Sequence, residues 1–173
     1  MILKSLKVIA LGSIAMLCVA ATAQSQGLLT VQRLSAALAN QLVGDSVAIC
    51  AEKGHKVVAV VVDLEGVRQA VLRGDGSPIH SMDNAYYKAY TAASLTLSRN
   101  EDSTKALAAR MAKNPPSGVP QTPLPNVTYA VGGVTIKANG KAIGALGVSG
   151  AAGGQFDEEC ALAAIAKVQD KLK

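Results

Sequence analysis

The sequence predicts an α/β (α+β) domain in which helices cover a central antiparallel sheet of about five strands. Three observations predict it. The β-branched run Val57-Val58-Ala59-Val60-Val61-Val62 reads as a buried strand. Two tight-turn signals, Glu65-Gly66 and Asn139-Gly140, each join neighbouring strands, and hairpin joins make a sheet antiparallel. Segments of helical periodicity stand before, between and after the strands, where they can cover its faces.

The chain opens with a segment that belongs to export rather than to the fold. Lys4 and Lys7 give a basic start, Val8 to Ala20 carry no charge, and Ala21-Thr22-Ala23 is a small-residue cleavage site. Basic, apolar, small is the order of a secretory signal peptide. The apolar run is roughly 13 residues against the ~20 that span a bilayer, so no transmembrane anchor is expected. Cys18 raises the alternative of a lipid anchor, but Leu17 stands where lipid attachment wants a small residue. Residues 1–23 are therefore expected to be a cleaved signal peptide. Residues 24–173 are expected to be a single domain, periplasmic or secreted, because about 150 residues build one core and are too few for two.

Gln26 to about Lys53 is predicted as the first helix, with Thr30 as its N-cap, Leu34, Leu38, Leu42 and Ile49 on one face, and Gly54 as its stop. Lys56 to Leu64 is the buried strand, and Val67 to Arg73 its hairpin partner. Gly74-Asp75-Gly76-Ser77-Pro78 is a loop. Ser81 to about Ser98 is the second helix, capped by Ser81, with Asp83 at the positive end of its dipole. A shorter helix is expected over Ser103 to Met111. Between Asn114 and Asn126 stand five prolines, Pro115, Pro116, Pro120, Pro123 and Pro125, which exclude a regular element and predict a surface loop that wraps or contacts a neighbour. Val127 to Val131, Val134 to Ala138 and Lys141 to Val148 are predicted strands. Ser149 to Gly154 is a glycine-rich turn, and Gln155 to Leu172 the last helix. Asp157, Glu158 and Glu159 stand early in that helix and Lys167, Lys171 and Lys173 late, as the helix dipole favours.

Composition narrows the function. The formal charge of +5 falls to about +3 once Lys4 and Lys7 are removed, and the remaining cations are scattered. With no basic stripe and only four Tyr and one Phe, nucleic-acid binding is not expected. No Cys-x-x-Cys pair exists, so a zinc ribbon, a thioredoxin-type site and covalent haem attachment are excluded. Cys50 and Cys160 survive cleavage. On the residues alone they read equally as a disulfide or as two small buried hydrophobes.

Four features could carry chemistry. Gly147-Val148-Ser149-Gly150 resembles a nucleophile elbow, but Ala151 occupies the position of its last glycine, so the glycines serve a turn. The same turn could offer N–H groups to a phosphate, although Asp157, Glu158 and Glu159 would already occupy that helix end. The Ser81 helix gathers Tyr86, Tyr87, Lys88, Tyr90 and Thr91 within two turns, with His80 and Met82 at its start. Either one tyrosine face packs on the sheet and Lys88 is solvated, or the helix start borders a ligand pocket, since His, Tyr and Met can all ligate haem iron. His55 stands alone before the first strand, as a surface residue or as a donor of a ring nitrogen. With two histidines and no His-x-x-x-His spacing, a dedicated zinc site is not expected.

Three blocks resemble the GlcG/HbpS haem-binding protein family. The first is Val60-Val61-Val62-Asp63 with Gly66, Arg73, Asp75 and Gly76. The second is Ser81, Ala85 and Lys88-Ala89-Tyr90-Thr91-Ala92-Ala93, similar to the family's Lys-Ala-x-Thr-Ala signature. The third is Gly132-Gly133, Ile136, Gly140, Ile143 to Gly150, and Asp157-Glu158-x-Cys160-Ala161. The resemblance implies a profilin-like α-β-α sandwich, a homo-oligomer and haem as a cofactor. It also implies that the two terminal helices pack side by side, which turns Cys50 and Cys160 towards a disulfide.

Lys88 and Thr91 share a helix face. Lys88 is expected to pair with Asp75, with a haem propionate as the alternative. If haem binds, it is expected by the start of the Ser81 helix near a subunit interface. His80 is then the first choice for the iron, Tyr86 or Tyr87 the second and His55 the third, with Arg73 and Lys88 neutralising propionates. The function expected is an exported haem-binding protein for haem handling or redox sensing. The alternative is an enzyme or accessory subunit acting on a small organic metabolite, against which stands the lack of a nucleophile with a positioned base.

Overall fold

A computed structural model describes residues 27–113 and 124–173. The expected signal peptide and most of the proline-rich stretch lie outside the described residues. Every described helix and strand lies in the unit Val31–Lys173. The order is α1 (Ala36–Glu52), β1 (Val58–Val62), β2 (Arg68–Arg73), α2 (Ser81–Ala93), α3 (Thr104–Lys113), β3 (Gly133–Ala138), β4 (Lys141–Ser149) and α4 (Gly154–Lys167), with 3-10 turns at Leu97–Arg99 and Gln169–Lys171.

The sheet runs β2-β1-β4-β3, and every pairing is antiparallel. β1 is central and buried throughout. Val57, Ala59 and Val61 point to one face, where they pack with Leu42, Ile49, Cys160 and Ala164 from α1 and α4. Val58, Val60 and Val62 point to the other, against Ala85, Tyr86, Ala89 and Ala92 of α2. A strand covered on both faces needs apolar residues at every position, which explains the unbroken valine run. The expected α-β-α sandwich is therefore the observed architecture.

Among the described residues the sheet has four strands rather than five. Val127 to Val131 is not a strand, because its N–H groups go elsewhere. Val127 donates to the Leu124 carbonyl, Thr128 to Thr91 Oγ1 and Ala130 to Thr128 Oγ1. The expected helix from Gln26 begins instead at Ala36. Ser35, not Thr30, is its N-cap, accepting the Leu38 N–H at 3.2 Å. The second helix ends at Ala93 rather than near Ser98, where the Thr96 hydroxyl bonds back to the Ala92 carbonyl. The last helix stops at Lys167 and tightens into the 3-10 turn.

Two local devices shape the sheet. Asn139 and Gly140 take φ of 48° and 78°, the paired left-handed geometry of a two-residue hairpin. The buried Asp63 carboxylate accepts the Glu65 and Val67 N–H groups and so closes the β1–β2 turn. Elsewhere, α3 is tied to the segment before it by Arg110, which donates to Glu101 at 2.6 and 3.3 Å. That hydrogen bond raises the guanidinium further above its usual range. Cys50 of α1 and Cys160 of α4 form a disulfide with a Cα separation of 5.6 Å.

Candidate functional site

The end of β4 meets the starts of α2 and α4, and a cavity of about 590 Å³ opens there. His80, Asn84, Lys88, Ser149, Gln155 and Asp157 border it. The close approach of α2 to the sheet depends on glycine. A Cβ at Gly147 would overlap the Ala85 carbonyl, and one at Gly133 the Lys88 carbonyl. These glycines let the helix backbone lie directly on β3 and β4, which brings Lys88 down to the end of β4.

Lys88 is only 2% exposed. Its Nζ donates to Asp157 Oδ2 at 2.7 Å and to the Val148 carbonyl at 3.0 Å. The other Asp157 oxygen accepts the Ala151 N–H at 3.0 Å, so one carboxylate holds both the lysine and the glycine-rich turn. Lys88 is thus neither solvated nor paired with Asp75. The correction has a simple cause: α2 packs across β4 with Lys88 at the start of α4, where Asp157 is, while Asp75 borders a separate pocket beside His55. Gly132 sits beside this pair at φ 127°, and a Cβ there would press on Lys88 Nζ, Asp157 and the Val148 carbonyl.

The residues predicted as a haem site separate in space. His80 is the N-cap residue of α2, exposed on the cavity rim, and makes no side-chain cap hydrogen bond. Ser81, expected to be that cap, is the first helical residue, and its buried hydroxyl has no partner among the described residues. Of the predicted set, only His80 and Lys88 border this cavity.

Tyr86 donates its hydroxyl to the Gly66 carbonyl at 3.1 Å, and Arg68 covers its ring at 3.5 Å. Tyr87 is half-buried against the same apolar layer, its ring 5.9 Å from that of Tyr86. Thr91 is buried, accepting the Thr128 N–H at 2.9 Å. Arg73 donates twice to the Ser77 carbonyl, at 3.1 and 2.6 Å, and so braces its own loop. His55 stacks on Phe156 at 5.1 Å and borders a separate pocket of about 320 Å³ with Lys56, Gly74 and Asp75.

Sequence reasoning missed Asn84, Ser149 and Lys105 as cavity residues, and Asp157 as the partner of Lys88. Asn84 Nδ2 donates to Ser149 Oγ at 2.9 Å, and Lys105 pairs with the buried Glu158 at 3.3 Å. The available signal was the pairing of Gly132-Gly133 with Asp157-Glu158 in one block, since adjacent glycines before a strand mark a place where something large approaches the backbone. Among the described residues there is no cluster of three His, Cys, Asp or Glu side chains able to hold a metal ion. None of the described helices is long and apolar enough to cross a membrane.

The solved structures that resemble the chain include the following three. The double mutant of Streptomyces reticuli HbpS is 30% identical, with a TM-score of 0.72 over 86% of this chain and 95% of that one. Klebsiella pneumoniae protein ORFY is 26% identical, with a TM-score of 0.70 over 83% and 97% of the two chains. A PduOC–haem complex is 26% identical, with a TM-score of 0.68 over 78% and 94%. The search of curated proteins gives no match. The family model described as haem degrading protein HbpS-like matches residues 34–166, and the chain therefore belongs to the HbpS-like family.

Proposed function

We propose that this protein is exported, binds haem in the cavity at the start of α2, and serves haem handling or redox sensing. The observation that carries the reading is the placement of His80 on the rim of that cavity. Its imidazole makes no hydrogen bond among the described residues, so its nitrogens are open to an iron ion. Pro78, Ala130 and Val131 give the mouth of the cavity apolar surface for a macrocycle. Bound haem would supply an iron centre for redox change, and His80 would be its protein ligand. Tyr86 and Arg73 fit the group poorly, because their polar ends are already spent on the Gly66 and Ser77 carbonyls. Membership of the HbpS-like family and the likeness to a haem complex support the same reading.

Export rests on the amino-terminal pattern of Lys4, Lys7, the apolar run and Ala21-Thr22-Ala23. The disulfide agrees with an oxidising compartment. Assembly into a homo-oligomer is part of the proposal. β2 is a sheet edge, and Val67, Val71 and Leu72 on and beside it are exposed. An unpaired edge with apolar residues is a template for association. Titrating haem into purified protein and following absorbance tests the reading. A saturable Soret band at one haem per chain supports it, and the spectrum of free haem alone refutes it.

A further inference from the structure

The haem reading uses the mouth of the cavity and leaves its inner end unassigned. That end is built from donors that are not fully used, two on buried side chains and two on the half-buried Gly154 and the exposed Gln155. Lys88 Nζ has three protons, and among the described residues two have acceptors, Val148 O and Asp157 Oδ2. Ser149 is 2% exposed. Its hydroxyl oxygen accepts from Asn84, and its own proton has no acceptor among the described residues. Gly154 and Gln155 border the same cavity at the first turn of α4. Their N–H groups have no acceptor among the described residues, and no side chain caps this helix.

The acidic side chains near this end already have partners, including Asp157 on the cavity border. Asp157 is held by Lys88 and the Ala151 N–H, Glu158 faces Lys105, and Glu159 faces Lys53. The acidic first turn, read from sequence as blocking an anion, therefore leaves the helix end open.

Donor protons that point into a cavity without an acceptor are available to a ligand that accepts from them. A small group rich in lone pairs and poor in protons answers an ammonium, a hydroxyl and backbone amides together. The ammonium is already neutralised by Asp157, so the site offers oriented N–H and O–H dipoles more than net charge. That balance suits a monoanion better than a phosphate dianion.

We propose that the inner end of the cavity, between Lys88, Ser149 and the start of α4, is a carboxylate-binding site. The remainder of the acid lies towards the apolar mouth formed by Pro78, Ala130 and Val131. The carboxylate belongs either to a haem side chain or to a free small carboxylic acid. In the first case the inference rests on the haem reading; in the second it stands without it.

The test is an amide-resolved NMR titration of the full domain with propionate and with its neutral isostere propionamide. Propionate shifts the Ala151, Gly154 and Gln155 amides saturably, and propionamide does not. Ser149→Ala, checked for folding by circular dichroism, weakens propionate binding roughly tenfold, the scale of one hydrogen bond to a charged group. Equal shifts from the acid and the amide, or none from either, overturn the proposal whatever the variant does. So does full propionate affinity in folded Ser149→Ala. Competition then assigns the source. If haem displaces propionate and haem dimethyl ester does not, the carboxylate is haem's own. If propionate binds while haem is absent from the cavity or bound beside it, the acid is a separate ligand. A missing Soret band with intact propionate binding would refute the haem reading alone.

Discussion

Lys88 and Asp157 lie 69 residues apart in the chain, and both are buried. Removing one charge from such a pair leaves the other in a low-dielectric site with its desolvation uncompensated. Lys88→Met is predicted to destabilise the protein by about 3–5 kcal/mol, read as a lowered urea midpoint. The double variant Lys88→Met/Asp157→Asn is predicted to recover part of that loss, because the orphaned charge is then gone. An unchanged midpoint in Lys88→Met would show that the pair contributes nothing to stability. The importance of Lys88 was visible in sequence, since it stands in a dense block of chemically able side chains. Its partner was not visible. Helical spacing places a residue on a face, and Asp75 stands in the loop before that helix. The real partner is fixed by how α2 crosses β4, which is a tertiary fact. The exposed position of His80 was legible for a different reason: a histidine just before a helix start needs no long-range packing to remain exposed.

At the scale of elements, the packing of α2 on the sheet is held by small residues. Gly147 of β4 faces the Ala85 carbonyl and the Ala89 backbone so closely that a Cβ cannot be added without moving the helix. Gly147→Ala is predicted to cost about 1–3 kcal/mol by overpacking. It is also predicted to disturb Asn84, Lys88 and Ser149 together, since all three depend on the seat of α2. Chemical shift changes confined to residue 147 and its strand neighbours would contradict this.

The regular elements were legible where one local signal dominated. The valine run gave β1, Asn139-Gly140 gave the β3–β4 hairpin, and Gly54 stopped α1. Boundaries were misread where two signals competed. Thr30 and Ser35 are both acceptable caps, and the Ser35 oxygen is the one that reaches an orphan N–H. Val127 to Val131 has strand-like residues, but its N–H groups are taken by two threonine hydroxyls and a turn carbonyl. A propensity cannot reveal that competition.

For the whole molecule, the disulfide joins the two helices that cover one sheet face across a separation of 110 residues. In the chain-entropy description such a closure contributes up to about 4–5 kcal/mol. Reduction is therefore predicted to lower the melting temperature, and Cys50→Ala/Cys160→Ala to melt like the reduced protein. A reduced protein that melts with the oxidised one would remove any stabilising role from the bond. Export predicts that protein recovered from the periplasm or medium begins near Gln24, and a mass including Met1 would contradict it. Assembly through the β2 edge predicts that Val71→Lys lowers the mass measured by light scattering, because a lysine on an edge strand opposes pairing.

The central claim is that haem binds at the start of α2 with His80 on its iron. The most direct measurement is the haem absorbance titration of the parent protein beside His80→Ala, His55→Ala and Tyr86→Phe. The account predicts a Soret band in the parent that moves and weakens in His80→Ala, and parent-like spectra in the other two. A parent-like spectrum and affinity in His80→Ala, with loss in His55→Ala or Tyr86→Phe, would contradict it.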